Sequence, residues 1–210
     1  MINDLDNSIQ DKNVKDIYEI ISKHFSNSRV YTWSWIEEFI KSFPKQNNIL
    51  DIGCGNGRNM QFKDYNFTGI DNCRGFLNIC REKKFSVIES DMTNIPLKDN
   101  LFDAIICIAS FHHLSNNENR LQSLKEMKRL IKTSGKIMIS VWSINQPLKT
   151  KKTFNKYGNT IVTYNKFGEI YERYYYIFKI DEIKNLFYLA GLFVIQHFYD
   201  CGNEIFILTK

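Results

Sequence analysis

Apolar residues recur at helical spacing from the first ordered pattern in the chain. Val14, Ile17, Tyr18, Ile21 and Phe25 predict an amphipathic helix over Val14 to Phe25. Ser26-Asn27-Ser28-Arg29 breaks it. Ile36, Phe39, Ile40 and Phe43 mark a second helix near Trp35 to Phe43, with Pro44 just past its end. The pattern then changes to short apolar runs. Ile49 to Ile52, Phe67 to Ile70, Phe85 to Glu89 and Phe102 to Ile108 predict strands. After Asp103 the last of these is continuously apolar, as a central parallel strand covered on both faces should be. Helices are expected between them, at Phe76 to Lys84 and from a Ser115/Glu118 capping box through about Lys132. Ser134-Gly135 stops the second, and Lys136 to Trp142 is a fifth strand. Asp181 caps a helix carrying Ile183, Leu186, Phe187 and Ala190, with Gly191 at its end. Leu192 to Tyr199 and Glu204 to Leu208 form an antiparallel hairpin around Asp200-Cys201-Gly202-Asn203. Alternating strands and helices imply an α/β fold with a seven-stranded, mostly parallel sheet and an antiparallel terminal hairpin.

The first strand runs into Asp51-Ile52-Gly53-Cys54-Gly55-Asn56-Gly57. Three alternating glycines suit a tight turn at a strand tip, where open α/β sheets bind ligands. The third glycine follows two residues after the second, not three, so this is not a dinucleotide fingerprint; no Lys-Ser/Thr follows, so it is not a phosphate loop. Acid-x-G-x-G-x-G resembles the first motif of class I S-adenosyl-L-methionine methyltransferases, whose turn holds the amino-acid end of the cofactor. A tight turn with no ligand is the plain alternative. Asp71 ends the second strand, where an acid reaches ribose hydroxyls in doubly wound folds. Asp71-Asn72 also reads as simple turn chemistry. Asp91 follows the third strand and could accept from an adenine amino group, with Met92 packed on the ring. The candidate cofactor set is Asp51, Gly53, Cys54, Gly55, Asn56, Gly57, Asp71, Asn72, Asp91, Met92 and Ile108.

Composition narrows the class. The 210 residues fit one domain, with 43% hydrophobic and 24% charged residues typical of a soluble globular protein. Residues 1–45 would hold N-terminal helices, 46–142 the cofactor-binding core, 143–178 an insert, and 179–210 the last helix and hairpin. Met1 to Lys12 is polar and lacks the apolar run of a signal peptide or membrane span. Five cysteines without a C-x-x-C pair argue for reduced thiols in a cytoplasmic or nuclear setting and against a zinc site. A net charge of +5 is compatible with RNA and equally with a mildly basic enzyme surface. Ser143 to Tyr176 is Lys- and Tyr-rich with little periodicity, so it is expected as a long loop. Basic groups interleaved with Tyr157, Tyr164, Tyr171, Tyr174, Tyr175 and Tyr176 suit single-stranded RNA, or form a solvated flap.

Several segments together resemble one family, the eukaryotic wobble-uridine tRNA carboxymethyl methyltransferases, in their stand-alone fungal and AlkB-fused animal forms. Val14 to Glu19, His24-Phe25-Ser26-Asn27-Ser28-Arg29 and Trp33 resemble the family's opening. Asp51 to Gly57 resembles its D-x-G-C-G-N-G, and Asp71 to Arg74 its C-D-R-S. Phe102-Asp103-Ala104, Ile108 to Ser115, Val141-Trp142 with Gln146, and Arg173 to Phe178 carry further matches. Tyr176 departs from a family His and Glu204 from a family Trp. The resemblance implies a class I methyltransferase fold and methyl transfer from S-adenosyl-L-methionine to the carboxylate of 5-carboxymethyluridine in tRNA. It also implies a small zinc-binding activator protein that adds a strand, for which Phe85 to Glu89 is the expected sheet edge. Lys83 and Lys84 beside that edge could instead keep it free.

A carboxylate is an anion at pH 7 and needs no general base. A cation must hold it, and Arg29 is the expected clamp because a guanidinium can pair in fork geometry. His112 and His113 follow the fourth strand, close to where the methyl group should lie, as substrate donor and cofactor wall or as packed loop histidines. His24 is expected to be structural. The other functional readings are a small-molecule methyltransferase and a catalytically idle subunit on the same fold.

Overall fold

The computed structural model describes residues 14–150 and 153–210. The polar start at Met1 to Lys12, and Lys151 and Lys152 of the insert, lie outside the described residues. Helix α1 (Asp16–Asn27) and α2 (Ser34–Lys41) precede strand β1 (Asn48–Ile52). Then come β2 (Asn66–Asp71), α3 (Arg74–Glu82), β3 (Val87–Glu89), β4 (Phe102–Ile108), α4 (Asn117–Leu130) and β5 (Ile131–Trp142). A hairpin of β6 (Gly158–Lys166) and β7 (Glu169–Ile177) follows, then α5 (Ile180–Leu189), β8 (Phe193–Asp200) and β9 (Asn203–Thr209).

The main sheet has seven strands in the order β3-β2-β1-β4-β5-β9-β8. β3, β2, β1, β4 and β5 run parallel, and β9 pairs antiparallel with β5 and with β8. This is the expected sheet, with the chain reversing its direction of travel across the sheet between β1 and β4. In β4, Ile105 and Cys107 join the core beneath α4 and α5, while Ala104, Ile106 and Ile108 join the core beneath α2. The continuous apolar run is therefore alternation read on two covered faces. Helix α1 lies against α3: both carboxylate oxygens of Glu19 accept from the first backbone amides of α3, Arg74 N at 2.6 Å and Gly75 N at 2.9 Å. A carboxylate at a helix N-terminus satisfies orphan donors and complements the helix dipole.

Three local expectations are corrected. The cap of α4 is Asn116, whose side chain accepts from Asn119 N at 2.7 Å, not Ser115. Asp181 lies inside α5; the cap position is Lys179, and Glu182 accepts from its backbone amide. Strand β3 is three residues long, and Phe85 packs beside Cys54, Met60 and Cys80 instead of pairing.

The largest correction concerns the insert. Between Gly158 and Ile177 it is no loop but a hairpin of two nine-residue strands. Its turn, Phe167-Gly168, has φ of +53° and +95°, the two positive values that match the twist of a two-residue hairpin. The run Thr160-Ile161-Val162-Thr163 carries the β-branched signal for it. The hairpin is tied to α1 by a 2.7 Å hydrogen bond between His24 Nδ1 and Tyr164 Oη, so His24 is structural as expected. Arg173, Tyr174 and Tyr175 turn inward and are buried, so they are not an exposed RNA-stacking surface.

Candidate active site

A cavity of about 700 Å³ opens at the carboxyl ends of β1, β2, β3 and β4. Its floor is the glycine turn. Gly53 N and Cys54 N both donate to Ile70 O, at 2.8 and 3.0 Å, which ties the turn to β2. Gly53 has φ of +68°, and a Cβ there would stand 2.2 Å from Ser110 Oγ. Ser110 Oγ donates back to Gly53 O at 3.1 Å, so the turn is clamped to the end of β4. Gly55, with φ of +54°, is different: a Cβ there would meet no heavy atom within 4 Å. Open space above a left-handed glycine is what a ligand approaching the backbone needs.

Of the sequence-derived cofactor set, Gly53, Cys54, Gly55, Asn56, Asp71, Asn72, Asp91, Met92 and Ile108 all line this cavity. Asp51 and Gly57 stand behind its wall. Gly57 packs under Phe85, 2.6 Å from where its Cβ would be. Asp71 is pinned by backbone: Oδ2 accepts from Gly55 N at 2.8 Å and Oδ1 from Cys73 N at 2.9 Å. Lone-pair capacity remains on the carboxylate for an incoming donor. Burial pushes its pKa up to about 6, opposed by the amides of Cys73, Gly55 and Asn72. Asp91 Oδ1 takes both Thr93 N and Thr93 Oγ1, which leaves Oδ2 to an incoming group. Asn56 lines the cavity but spends its amide on Ser26 O and Arg29 O, so it braces the loop that carries Arg29.

Asp51 is 1% exposed, and neither carboxylate oxygen has a hydrogen-bond partner among the described residues. Burial pushes its pKa up to about 8, with Arg58 pulling it down and Asp71 pushing it further up. The folded protein therefore holds a proton that the unfolded chain has lost. Stability falls as pH rises from about 4 toward 8, with a slope of up to ~1.4 kcal/mol per pH unit from this group. Asp71 adds to the fall up to about pH 6. Asp51→Asn should be more stable than wild type at pH 8 and gain little at pH 4, read from denaturant midpoints across that range. A gain equal at both ends would refute the assignment.

The cavity is also lined by cationic and aromatic side chains. Arg29 comes from the loop after α1, Arg58 follows the glycine turn, and Arg173 comes from β7. Arg29 is half-buried, lies 4.7 Å from the Phe25 ring centroid and donates to Ser28 O at 3.3 Å. Arg58 lies 4.2 Å over the Trp33 ring. Tyr175 stacks on Trp142 at 4.2 Å between centroids.

The two neighbouring histidines separate. His112 is fully buried, its Nδ1 accepts from Trp142 N at 3.1 Å, and it does not line the cavity, which is the packed-loop alternative for this residue. His113 does line the cavity. Its Nδ1 lies 2.8 Å from the Tyr174 carbonyl, which can only accept, so Nδ1 carries the proton and Nε2 accepts. Burial pulls the pKa of His113 down to about 3, so it is neutral. Tyr18 Oη, 3.2 Å from Nε2, must then donate its proton there. Tyr18 Oη in turn accepts from Tyr175 Oη and Arg173 Nη1, both at 3.2 Å. Tyr18, Tyr175 and Arg173 were not among the sequence-derived site residues. Tyr18 was legible only as part of a helix face, and the other two as part of the insert.

The methyltransferase-domain family model matches residues 50–139. A Schizosaccharomyces pombe protein named tRNA (carboxymethyluridine(34)-5-O)-methyltransferase is 30% identical over 94% of this chain and 96% of its own. The chain belongs to that family. A Mus musculus member is 36% identical over 69% of the chain, and an Arabidopsis thaliana member 35% identical over 66%. The chain spans only 22% of the mouse protein's length and 34% of the plant protein's. Among solved structures, a SAM-dependent methyltransferase from Methanosarcina mazei superposes with a TM-score of 0.69 at 18% identity, covering 85% of this chain and 98% of that one. The [4+2]-cyclase SpnF reaches 0.71 at 13% identity over 95% and 96%. These likenesses establish the class I methyltransferase fold and no chemistry, since one of them is a cyclase.

The carboxymethyluridine-methyltransferase family uses S-adenosyl-L-methionine, and the residues present fit it. Asp71 would accept from the ribose, Asp91 from an exocyclic amine, and Met92 and Ile108 would supply an apolar wall. The open space over Gly55 would admit the amino-acid end of the cofactor. Among the described residues no helix is long and apolar enough to cross a membrane.

Proposed function

We propose that this chain methyl-esterifies the carboxylate of 5-carboxymethyluridine at the wobble position of tRNA. The observation that carries the reading is the end-to-end likeness to the S. pombe enzyme of that name. The cavity is consistent with it, since Asp71 and Asp91 line it together with three arginines. Bound S-adenosyl-L-methionine supplies an electrophilic methyl group. The chain's own residues position and exclude water. The acceptor is already an anion at pH 7, so no proton has to be removed. A neutral His113, with its one proton held by a backbone carbonyl, matches that requirement. Phe25, Trp33 and Trp142 provide apolar faces for a base, and desolvation sharpens the attack of the carboxylate. The test is mass spectrometry of tRNA nucleosides after incubation with the protein and cofactor. Methyl ester formation on carboxymethyluridine is expected; turnover of a small acid with every tRNA left unmodified would refute the reading.

The partner side of the proposal is a small zinc-binding activator protein docking by strand addition. Strand β3 is one edge of the sheet. Gly69 N donates to Ser86 O and Ser90 N to Asp71 O, so residues 86, 88 and 90 face β2. Val87 and Glu89 therefore direct their backbone groups outward, where a partner strand would pair. Val87→Pro removes an outward donor and no bond to β2. Co-purification with the activator should be lost in this variant while cofactor affinity is kept. Equal recovery of variant and wild type would exclude this edge.

A further inference from the structure

Arg173 sits 4% exposed, and no carboxylate among the described residues lies within ion-pair distance of its guanidinium. Its buried Nε has no hydrogen-bond partner there, and Nη1 reaches only the Tyr18 hydroxyl. A buried charge ordinarily has an acid or a full set of acceptors, because its desolvation costs several kcal/mol otherwise. Arg120 shows the ordinary case in the same protein. It is equally buried, but it donates to Leu114 O at 3.1 and 2.9 Å and to Asn117 Oδ1 at 2.7 Å. Arg58 has Asp51 near it, and Arg29 is half-buried and serves its own loop. Arg173 alone among the cavity's arginines is both dry and without an acid.

What surrounds Arg173 instead is a box of rings. Its guanidinium carbon stands 5.1 to 5.8 Å from the centroids of Tyr164, Tyr175, Phe25 and Tyr18. Ring faces stabilise a cation without occupying its in-plane donors. Those donors are held by β7, and the Tyr18–His113 hydrogen bonds fix the one acceptor they meet. We infer that Arg173 is the residue that binds the acceptor carboxylate, its free N–H groups pairing with the two oxygens, while Arg29 acts at the mouth of the cavity. This rests on the carboxymethyluridine reading above.

The experiment compares two anticodon stem-loop RNAs, one with 5-carboxymethyluridine and one with the uncharged 5-carbamoylmethyluridine, in binding to the protein saturated with S-adenosylhomocysteine. Wild type should prefer the acid by roughly 100-fold, the range of charge-assisted hydrogen bonds. Arg173→Met should bind both RNAs alike, and Arg173→Lys should recover part of the preference. Methyl transfer by Arg173→Met should fall by at least the same factor. S-adenosylhomocysteine affinity and melting temperature of each variant separate a lost contact from a lost fold; should Arg173→Met fail to fold, the Lys variant decides. An Arg173 variant that folds and still prefers the acid as wild type does overturns the inference. A wild type that neither prefers nor methylates the acid overturns the functional reading instead.

Discussion

Gly53→Val is expected to abolish cofactor binding and to lower the melting temperature sharply. Gly53 has φ of +68°, which a β-branched residue adopts only under strain, and its Cβ would overlap Ser110 Oγ at 2.2 Å. Ser110 cannot retreat without releasing Gly53 O and Ile108 O, which it bonds. Backbone strain and overpacking each cost about 1–3 kcal/mol, so the sum is a large part of a domain's stability. Gly55→Ala separates fold from ligand. Its Cβ meets nothing within 4 Å, so the variant should fold with only the strain of φ +54° and yet bind S-adenosyl-L-methionine poorly, because the methyl enters the cavity. Calorimetry and thermal melts on the pair make the test. A Gly55→Ala protein with wild-type affinity would remove the cofactor from this turn.

Asp71→Ala should weaken S-adenosyl-L-methionine binding by roughly 100-fold or more, the scale of two hydrogen bonds to a charged acceptor. It also strands the amides of Gly55 and Cys73, which the carboxylate now satisfies. The turn itself should loosen, so the loss exceeds that from Asp71→Asn, which keeps one acceptor oxygen. Burial sets the pKa of Asp71 at about 6, above the usual carboxylate range. The charged form is the better acceptor, so wild-type affinity should decline as pH falls through about 6, and this decline should vanish in Asp71→Asn. Titration calorimetry between pH 5 and pH 8 reads both effects. An Asp71→Ala variant that is folded and binds normally would take the ribose away from β2.

Much of the site was legible because its chemistry is local. The glycine turn, the acids at the tips of β2 and after β3, and the strand that ends at Ile108 are each written in a few consecutive residues. The parallel sheet then brings their carboxyl ends together, as strand-tip sites in α/β folds require. The hairpin was not legible as such: its turn is Phe167-Gly168, without the Asn-Gly or Asp-Gly that marks such turns from sequence. The caps of α4 and α5 moved by one or two residues, a shift within the uncertainty of reading a helix start from its polar residues.

By itself the sequence determined the order of elements, the two-faced central strand and the cofactor side of the cavity. Only the tertiary structure decided the surroundings of the cavity's arginines. Arg29 and Arg173 are both arginines in matching motifs, and nothing local says which is dry. Burial of Arg173 arises when β7 packs against α1, which brings it to Tyr18, 155 residues earlier in the chain. The same packing divided the two histidines, sending His112 into the core and leaving His113 on the cavity wall with a fixed tautomer. It also buried Asp51 behind the turn it introduces. Exposure, protonation and unpaired donors are properties of the space around a side chain, and that space is assembled from segments far apart in sequence.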